Sequence, residues 1–136
     1  MAMQPDPPPA PVTIPLTPAV KPTPAVPGIP PAEALALATL VTPTAQGIAS
    51  RVLAKTSGGN CTLFAFDAGQ GLTEHTSPFD AFVMVLEGSL TLSIGGTPVH
   101  ATPGTIVRMP ADVPHGLEAP EPARMLLLML RERKDS

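Results

Sequence analysis

The stretch Asp80–His100, DAFVMVLEGSLTLSIGGTPVH, decides the fold class. It opens with the apolar run Asp80–Leu86 and continues with Leu90–Ile94, in which leucine and isoleucine alternate with threonine and serine. Gly95-Gly96 then turns the chain into Pro98–Ala101. Alternation with a period of two, broken by turn residues about every ten positions, is typical of the short strands of an all-β sandwich or barrel.

The same pattern continues on both sides of this stretch. In the run Cys61–Phe66, Leu63 and Ala65 are expected on one face of a strand and the two phenylalanines on the other. The remaining predicted strands are Ser50–Lys55, Thr105–Met109, Pro114–Glu118 and Arg124–Leu130. Eight or nine strands in this length of chain predict an all-β fold that closes into a small barrel, and closure would remove exposed sheet edges.

The distribution of proline divides the chain into regions. Twelve of the 20 prolines lie in residues 1–31, which predicts an extended, unpacked arm. Residues 32–48 are expected to form a connector with a short helix over Ala32–Leu40, because Pro31 suits a first helical position and alanine, leucine and glutamate follow it. The barrel domain is predicted over residues 49–131, with a short tail at 132–136.

Charge and composition exclude several classes of partner. A net charge of −3 and the absence of Trp and Tyr argue against nucleic-acid binding. No apolar run, Met125–Leu130 included, is long enough for a membrane-spanning helix. The N-terminus lacks the basic region and apolar core of a secretion signal, so a cytoplasmic protein is expected. The single cysteine, Cys61, excludes an intrachain disulfide and is expected to be a buried, unreactive thiol.

Two groups of glycine, proline and histidine resemble the motifs of the cupin family of small β-barrels. Gly69, five further residues, His75 and then Gly88 are similar to the first motif. Gly104, five further residues, Pro110 and then His115 are similar to the second. The resemblance covers about residues 49–131 and implies a single cupin barrel of the jelly-roll type. Each motif glycine is expected where a strand reverses tightly, because a positive φ is inexpensive only for glycine.

The family's metal site carries over only in part. In the cupins that bind Fe, Mn, Ni or Zn, two histidines and an acid of the first motif converge with one histidine of the second, so the resemblance implies His75 and His115 as ligands. The second histidine position is Ser77 and the acid position is Ala81. Asp80 and Glu74 would each face away from the barrel interior in a regular strand and would serve only if a bulge re-aimed them.

The third histidine and the other motif positions add no ligand. His100 is expected on the outer surface, because Val99 and Ala101 beside it are apolar. Asp112 occupies the position of the second motif's inner glycine, and Ala119 that of its asparagine. Binding of a divalent ion therefore remains an open prediction. Two imidazoles would hold the ion, and water or substrate would fill its other coordination positions. The alternative is a metal-free pair of histidines that line a polar pocket.

These residues are compatible with three alternative functions. The first is a binding module for a small polar or carboxylate-bearing molecule, with both histidines as hydrogen-bond donors. Its predicted pocket consists of His75, His115, Ser77, Phe82, Met84 and Met109. The second is a metal-dependent oxygenase or isomerase, and the third is a scaffold whose proline-rich arm engages a partner. The sequence contains no Gly-x-Ser-x-Gly elbow, phosphate-binding loop or dinucleotide fingerprint that would favour another chemistry.

The last predicted strand also indicates how the chain associates. Residues 125–130, MLLLML, place apolar side chains on both faces of one strand, whereas a barrel buries only the inner face. The outer face therefore needs a cover, which either the segment Ala32–Leu40 or a second copy of the chain supplies. The family resemblance favours the second copy, so a homodimer with a two-fold axis is predicted.

Overall fold

The fold is known from a computed structural model that describes residues 28–131. Residues 1–27 and 132–136, which include most of the predicted arm and the whole predicted tail, lie outside the described residues. Within residues 28–131, no helix is long and apolar enough to cross a membrane.

The described residues form two antiparallel β-sheets that face each other, which confirms the all-β prediction. One sheet has five strands in the order β1-β2-β9-β4-β7, and the other has four in the order β3-β8-β5-β6. The strands are β1 (Ile48–Thr56), β2 (Gly59–Phe66), β3 (Gly71–His75), β4 (Asp80–Glu87), β5 (Leu90–Ile94), β6 (Thr97–Ala101), β7 (Ile106–Met109), β8 (His115–Glu118) and β9 (Ala123–Leu130). The fold is thus a two-sheet jelly roll, in which β1, β7, β3 and β6 remain as edges among the described strands.

Strand β3 is the element that the sequence pattern did not predict. Its five residues include a single apolar side chain, Leu72, and four of the five are exposed. Pairing with β8 fixes this edge strand, because Gly71 lies opposite Glu118 and His75 opposite His115. Backbone hydrogen bonds to a distant strand, rather than side-chain alternation, therefore decide its conformation.

The predicted helix over Ala32–Leu40 is wrong. The structure contains only one turn of 3-10 helix, Leu37–Thr39, in that segment. Ala32 has a φ of 61°, which a right-handed helix cannot contain. Most of the segment is exposed, and a helix this short is not stable in water without an apolar face to bury.

The core lies between the two sheets, and a second apolar cluster lies outside the larger one. On β4 the buried residues Ala81, Val83 and Val85 face the interior. The principal buried side chains of the core are Phe66, Val83, Val85, Leu90, Leu92, Met109 and Met125. On β2, Leu63 and Ala65 face the opposite way, as the alternation predicted, and the connector residues Leu40 and Val41 pack against them. The connector thus covers part of the outer face.

Tight reversals of the chain occur at the motif glycines, as predicted. Gly69, Gly88 and Gly104 have φ values of 81°, 69° and 84°. At Gly88 an added Cβ would also lie 2.1 Å from the carbonyl oxygen of Pro122, so a side chain cannot fit there. Asp112, at the glycine position of the second motif, also has a positive φ, of 64°. Aspartate tolerates this conformation at some energetic cost.

Candidate functional site

The two motif histidines lie side by side on neighbouring strands of the four-stranded sheet. His75 ends β3 and His115 begins β8, and the two residues are direct partners across the antiparallel ladder. Their ring centroids are 4.5 Å apart, with 66° between the ring planes. The pairing register therefore brings together two imidazoles that are forty residues apart in the chain.

The backbone fixes the orientation of both imidazoles in the same way. The Nδ1–H of His75 donates to the carbonyl oxygen of Thr73 at 2.8 Å, and that of His115 to the carbonyl oxygen of Val113 at 3.0 Å. A carbonyl can only accept, so in each neutral ring Nδ1 carries the proton and Nε2 carries a lone pair. When both rings are neutral, the pair therefore offers two Nε2 acceptors to the cavity.

Both imidazoles open onto a small cavity between the two sheets. His115 is 4% exposed and lies inside, whereas His75 is exposed and lies at the mouth. The cavity has a volume of about 30 Å³, which is enough for one or two waters or for a single ion. Its lining residues are Leu72, His75, Ala81, Met109, His115, Gly116, Leu117, Met125, Leu127 and Met129.

The facing sheet contributes a row of three residues on adjacent strands. Ala81 on β4 pairs with Met109 on β7 and with Met129 on β9, so the small alanine lies between two methionines. All three side chains line the cavity opposite the histidines. Because the side chain of Ala81 is small, it leaves the cavity open between the side chains of Met109 and Met129.

The sequence-predicted pocket agrees with this lining only in part. Met109 lines the cavity with the two histidines, but Phe82 and Met84 do not. They alternate with Ala81 and Val83 along β4, so they lie on the outer face of the sheet. Every residue from 81 to 86 is apolar, so the sequence gives no sign of which face is inward.

Ser77 also lies outside the cavity lining. It is 8% exposed, and its Oγ accepts the backbone N–H of Phe79 at 3.1 Å. The hydroxyl therefore stabilises the turn into β4 rather than the pocket. The sequence interpretation had instead missed Met125 and Met129, although the alternation of the last strand places alternate residues of the run on its inner face.

The carboxylates considered as metal ligands are not re-aimed toward the histidines. Asp80 accepts hydrogen bonds from the backbone N–H of Ala111 at 3.1 Å and from Arg108 at 3.2 Å, and these bonds hold its pKa below the ordinary value. Glu74 is exposed and does not line the cavity. His100 is exposed on β6, as predicted.

The donor set consequently does not fit the divalent metal that the family implies. Among residues 28–131 there is no group of three histidine, cysteine, aspartate or glutamate side chains arranged to hold an ion. Iron, manganese and zinc sites use oxygen, nitrogen or thiolate ligands, and here only the two imidazoles of that kind reach the cavity.

A larger cavity, of about 420 Å³, lies elsewhere on the molecule. It is bordered by the connector segment 43–45, Asp67 and the ion pair of Glu87 with Arg124. Both oxygens of Asp67 accept backbone N–H groups, of Gln46 and Ala68. The charged groups of this depression, Asp67, Glu87 and Arg124, thus already have partners within the protein, so the smaller cavity is the better candidate site.

Comparison with known proteins gives a consistent family assignment. The family model described as a cupin domain matches residues 62–130. A conserved protein of unknown function from Streptococcus pyogenes is 32% identical, with a TM-score of 0.74 over 79% of this chain and 94% of that one. A cupin 2 conserved barrel domain protein from Leptotrichia buccalis is 30% identical, with a TM-score of 0.67 over 69% of this chain and 46% of that one. No curated protein matches the sequence.

Proposed function

The chain belongs to the cupin family, and we propose that it binds a small polar molecule in the cavity that His75 and His115 line. The fold supports small-molecule binding or an enzymatic role in general terms. The observation that supports the narrower proposal is the approach of the two imidazoles to 4.5 Å at one cavity between the sheets. Small β-barrels commonly hold a ligand at this place.

The chemistry of the lining limits the ligand. Each neutral imidazole presents an Nε2 acceptor, so the bound group is a hydrogen-bond donor such as a hydroxyl or an amine. Apolar side chains such as Leu72 and Leu117 form most of the remaining wall. A volume of about 30 Å³ admits only a head group, and the rest of the ligand lies outside the mouth beside His75.

A metal-dependent oxygenase or isomerase is the alternative function within the family. It would need an acid and a third histidine, and Ala81 and Ser77 stand at those positions. Asp80 is bound to Arg108 on the outside of the sheet. No residue that lines the cavity supplies the missing carboxylate, so binding is the better supported function.

A ligand screen with a matched pair of variants tests the proposal. Small alcohols, polyols and amines are screened by thermal denaturation of the full chain and confirmed by titration calorimetry. A ligand at 100 times its Kd stabilises the folded state by about 2.7 kcal/mol, which is a readily measured increase in Tm.

His115→Phe removes the buried acceptor while filling the space, and His100→Phe is the matched control on the exposed strand β6. The stabilisation should vanish in His115→Phe and persist in His100→Phe. Ligand binding that survives in His115→Phe, or no binding at millimolar concentrations, would contradict the proposal.

A further inference from the structure

We infer that the cavity lined by His75, His115 and the methionines of the facing sheet is a site for a soft monovalent metal ion, Cu(I), held by imidazole nitrogen and methionine sulfur. The inference goes beyond the proposed function, because it assigns a second occupant to the same cavity. The ion and the polar head group would compete for the two Nε2 atoms and for a volume of about 30 Å³. The proposed site shares the two histidines with the divalent site of the family and differs from that site in the ion and in the methionine ligands. The methionines of the facing sheet, which are not part of the family motifs above, supply the second type of donor.

The methionines are placed to act together with the histidines. Met109 and Met129 flank Ala81 in one row of the five-stranded sheet, and all three line the cavity. Neighbouring strands lie about 4.8 Å apart, so the two methionine backbones are separated by roughly 10 Å. A methionine side chain has three rotatable bonds and adapts to irregular space, so both thioethers can approach an ion above the alanine. Met125, fully buried, lines the same cavity.

The histidines have the hydrogen-bond pattern of metal ligands. Each Nδ1–H donates to the carbonyl of the residue two positions earlier, Thr73 or Val113. Such a bond fixes the ring and leaves Nε2 as the coordinating atom, as in many metal sites where a carbonyl or carboxylate holds the other nitrogen. Within residues 28–131, no protein hydrogen bond to either Nε2 competes with an ion.

The choice of ion follows from the type and charge of the donors. Thioether sulfur selects soft ions such as Cu(I), whereas Mg²⁺, Ca²⁺ and Mn²⁺ prefer oxygen ligands. All the donors in the cavity are neutral, and no lining residue is anionic. The cost of moving an ion out of water grows with the square of its charge, so a site without an anion favours a monovalent ion over a divalent one.

The size of the site agrees with an ion as the occupant. A volume of about 30 Å³ accommodates one ion with at most a water. The opposite interpretation is that the methionines only fill the core, which methionine often does. The two interpretations differ in what a methionine-to-leucine exchange does, because leucine conserves the packing and removes the sulfur.

The test uses the full chain carrying Cys61→Ser. Cys61 lies half-buried on the outer face of the larger sheet, where it packs against the apolar cluster that contains Leu63 and Ala65. Its thiol would otherwise bind Cu(I) on its own. Cu(I) affinity is measured without oxygen by competition against a chromophoric Cu(I) chelator, and Ag(I) serves as a probe that does not change oxidation state. We expect one ion per chain, bound at least 100-fold more tightly than Mn(II) or Zn(II).

The variants separate the contributions of sulfur and nitrogen. Met109→Leu and Met129→Leu should each weaken Cu(I) binding at least 10-fold, and His115→Phe should abolish it. Met84→Leu, on the outer face of β4, and His100→Phe are the controls and should leave the affinity unchanged. X-ray absorption of the loaded protein should show sulfur scatterers that disappear in the double leucine variant.

Each other outcome overturns the inference in a distinguishable way. Cu(I) binding that survives both leucine exchanges but is lost in His115→Phe would refute the thioether ligands. Absence of Cu(I) binding, together with a small polar ligand whose binding depends on His115, would refute the metal site and leave the proposed function intact. Absence of both kinds of binding in a folded protein would refute both. Binding of Zn(II) as tight as that of Cu(I) would refute the selection of a soft ion.

Discussion

Arg124 joins the connector to the larger sheet, and its replacement by methionine should destabilise the fold substantially. The guanidinium donates through Nη1 to the carbonyl oxygen of Val41 at 3.1 Å and through Nε to Glu87 at 3.2 Å, and the side chain is only 13% exposed. A hydrogen bond from a charged group to a buried partner contributes about 1.5–3 kcal/mol. The Glu87 carboxylate is 57% exposed, so its ion pair adds less than about 1 kcal/mol.

Arg124→Met keeps most of the packed stem and removes both hydrogen bonds, which leaves the carbonyl of the buried Val41 without its partner. We expect a loss of about 2–3 kcal/mol in the free energy of unfolding. For a domain of this size, that corresponds to a decrease in Tm of roughly 10 °C. Thermal and urea denaturation followed by circular dichroism measure both quantities.

Glu87→Gln is the matched variant, because it weakens the ion pair and leaves the bond to Val41 in place. It should lower the free energy of unfolding by less than about 1 kcal/mol. Equal losses in the two variants would mean that the ion pair, and not the bond to the connector, carries the stabilisation. A Tm of Arg124→Met within a degree of the wild type would refute the argument that the connector is part of the folded domain.

Three further predictions concern backbone strain, acid stability and association. Asp112 has a φ of 64°, so replacement by glycine should stabilise the folded state by up to about 1 kcal/mol and raise Tm by a few degrees. Asp112→Val should lower Tm, and the reverse order of the two variants in thermal denaturation would contradict this. The backbone N–H groups of Gln46 and Ala68 hold the pKa of Asp67 below its ordinary value, so the stabilisation it provides is complete above about pH 4 and is lost as the pH falls through the lowered pKa. Asp67→Asn should therefore flatten the decrease of Tm as the pH falls below about 4, and parallel curves for the two proteins would refute this. The homodimer stays a prediction. Sedimentation should show a dimer, and Ile106→Lys should convert it to a monomer, because Ile106 is 61% exposed on the outer face. A monomeric wild type at micromolar concentration would exclude the homodimer.

The outer face of the larger sheet is one feature that the sequence predicted in part and the structure completed. The run 125–130 predicted that apolar side chains on both faces of the last strand need a cover outside the barrel core. In the structure, Leu40 and Val41 cover the part of the outer face near Leu63, whereas Ile106 and Leu130 stay exposed. The sequence could not divide the face in this way, because the connector folds back through contacts and hydrogen bonds with residues far along the chain.

Local alternation and turn chemistry determined a large part of the fold from the sequence alone. A strand has a period of two, so Leu63 and Ala65 were assigned to one face and His100 to the outer surface without knowledge of the neighbouring strands. Where alternation is absent, as in the uniformly apolar run 81–86, the inward face could not be chosen, and Phe82 and Met84 were wrongly assigned to the pocket.

Only the tertiary structure decided the composition of the candidate site. The family resemblance implied that His75 and His115 converge, but the row of Met109, Ala81 and Met129 depends on the pairing registers of three strands that are distant in sequence. Likewise, the carbonyls of Thr73 and Val113 determine which imidazole nitrogen carries the proton. The sequence specifies which way each side chain points along its own strand, whereas hydrogen bonds between distant strands determine which side chains meet across the cavity.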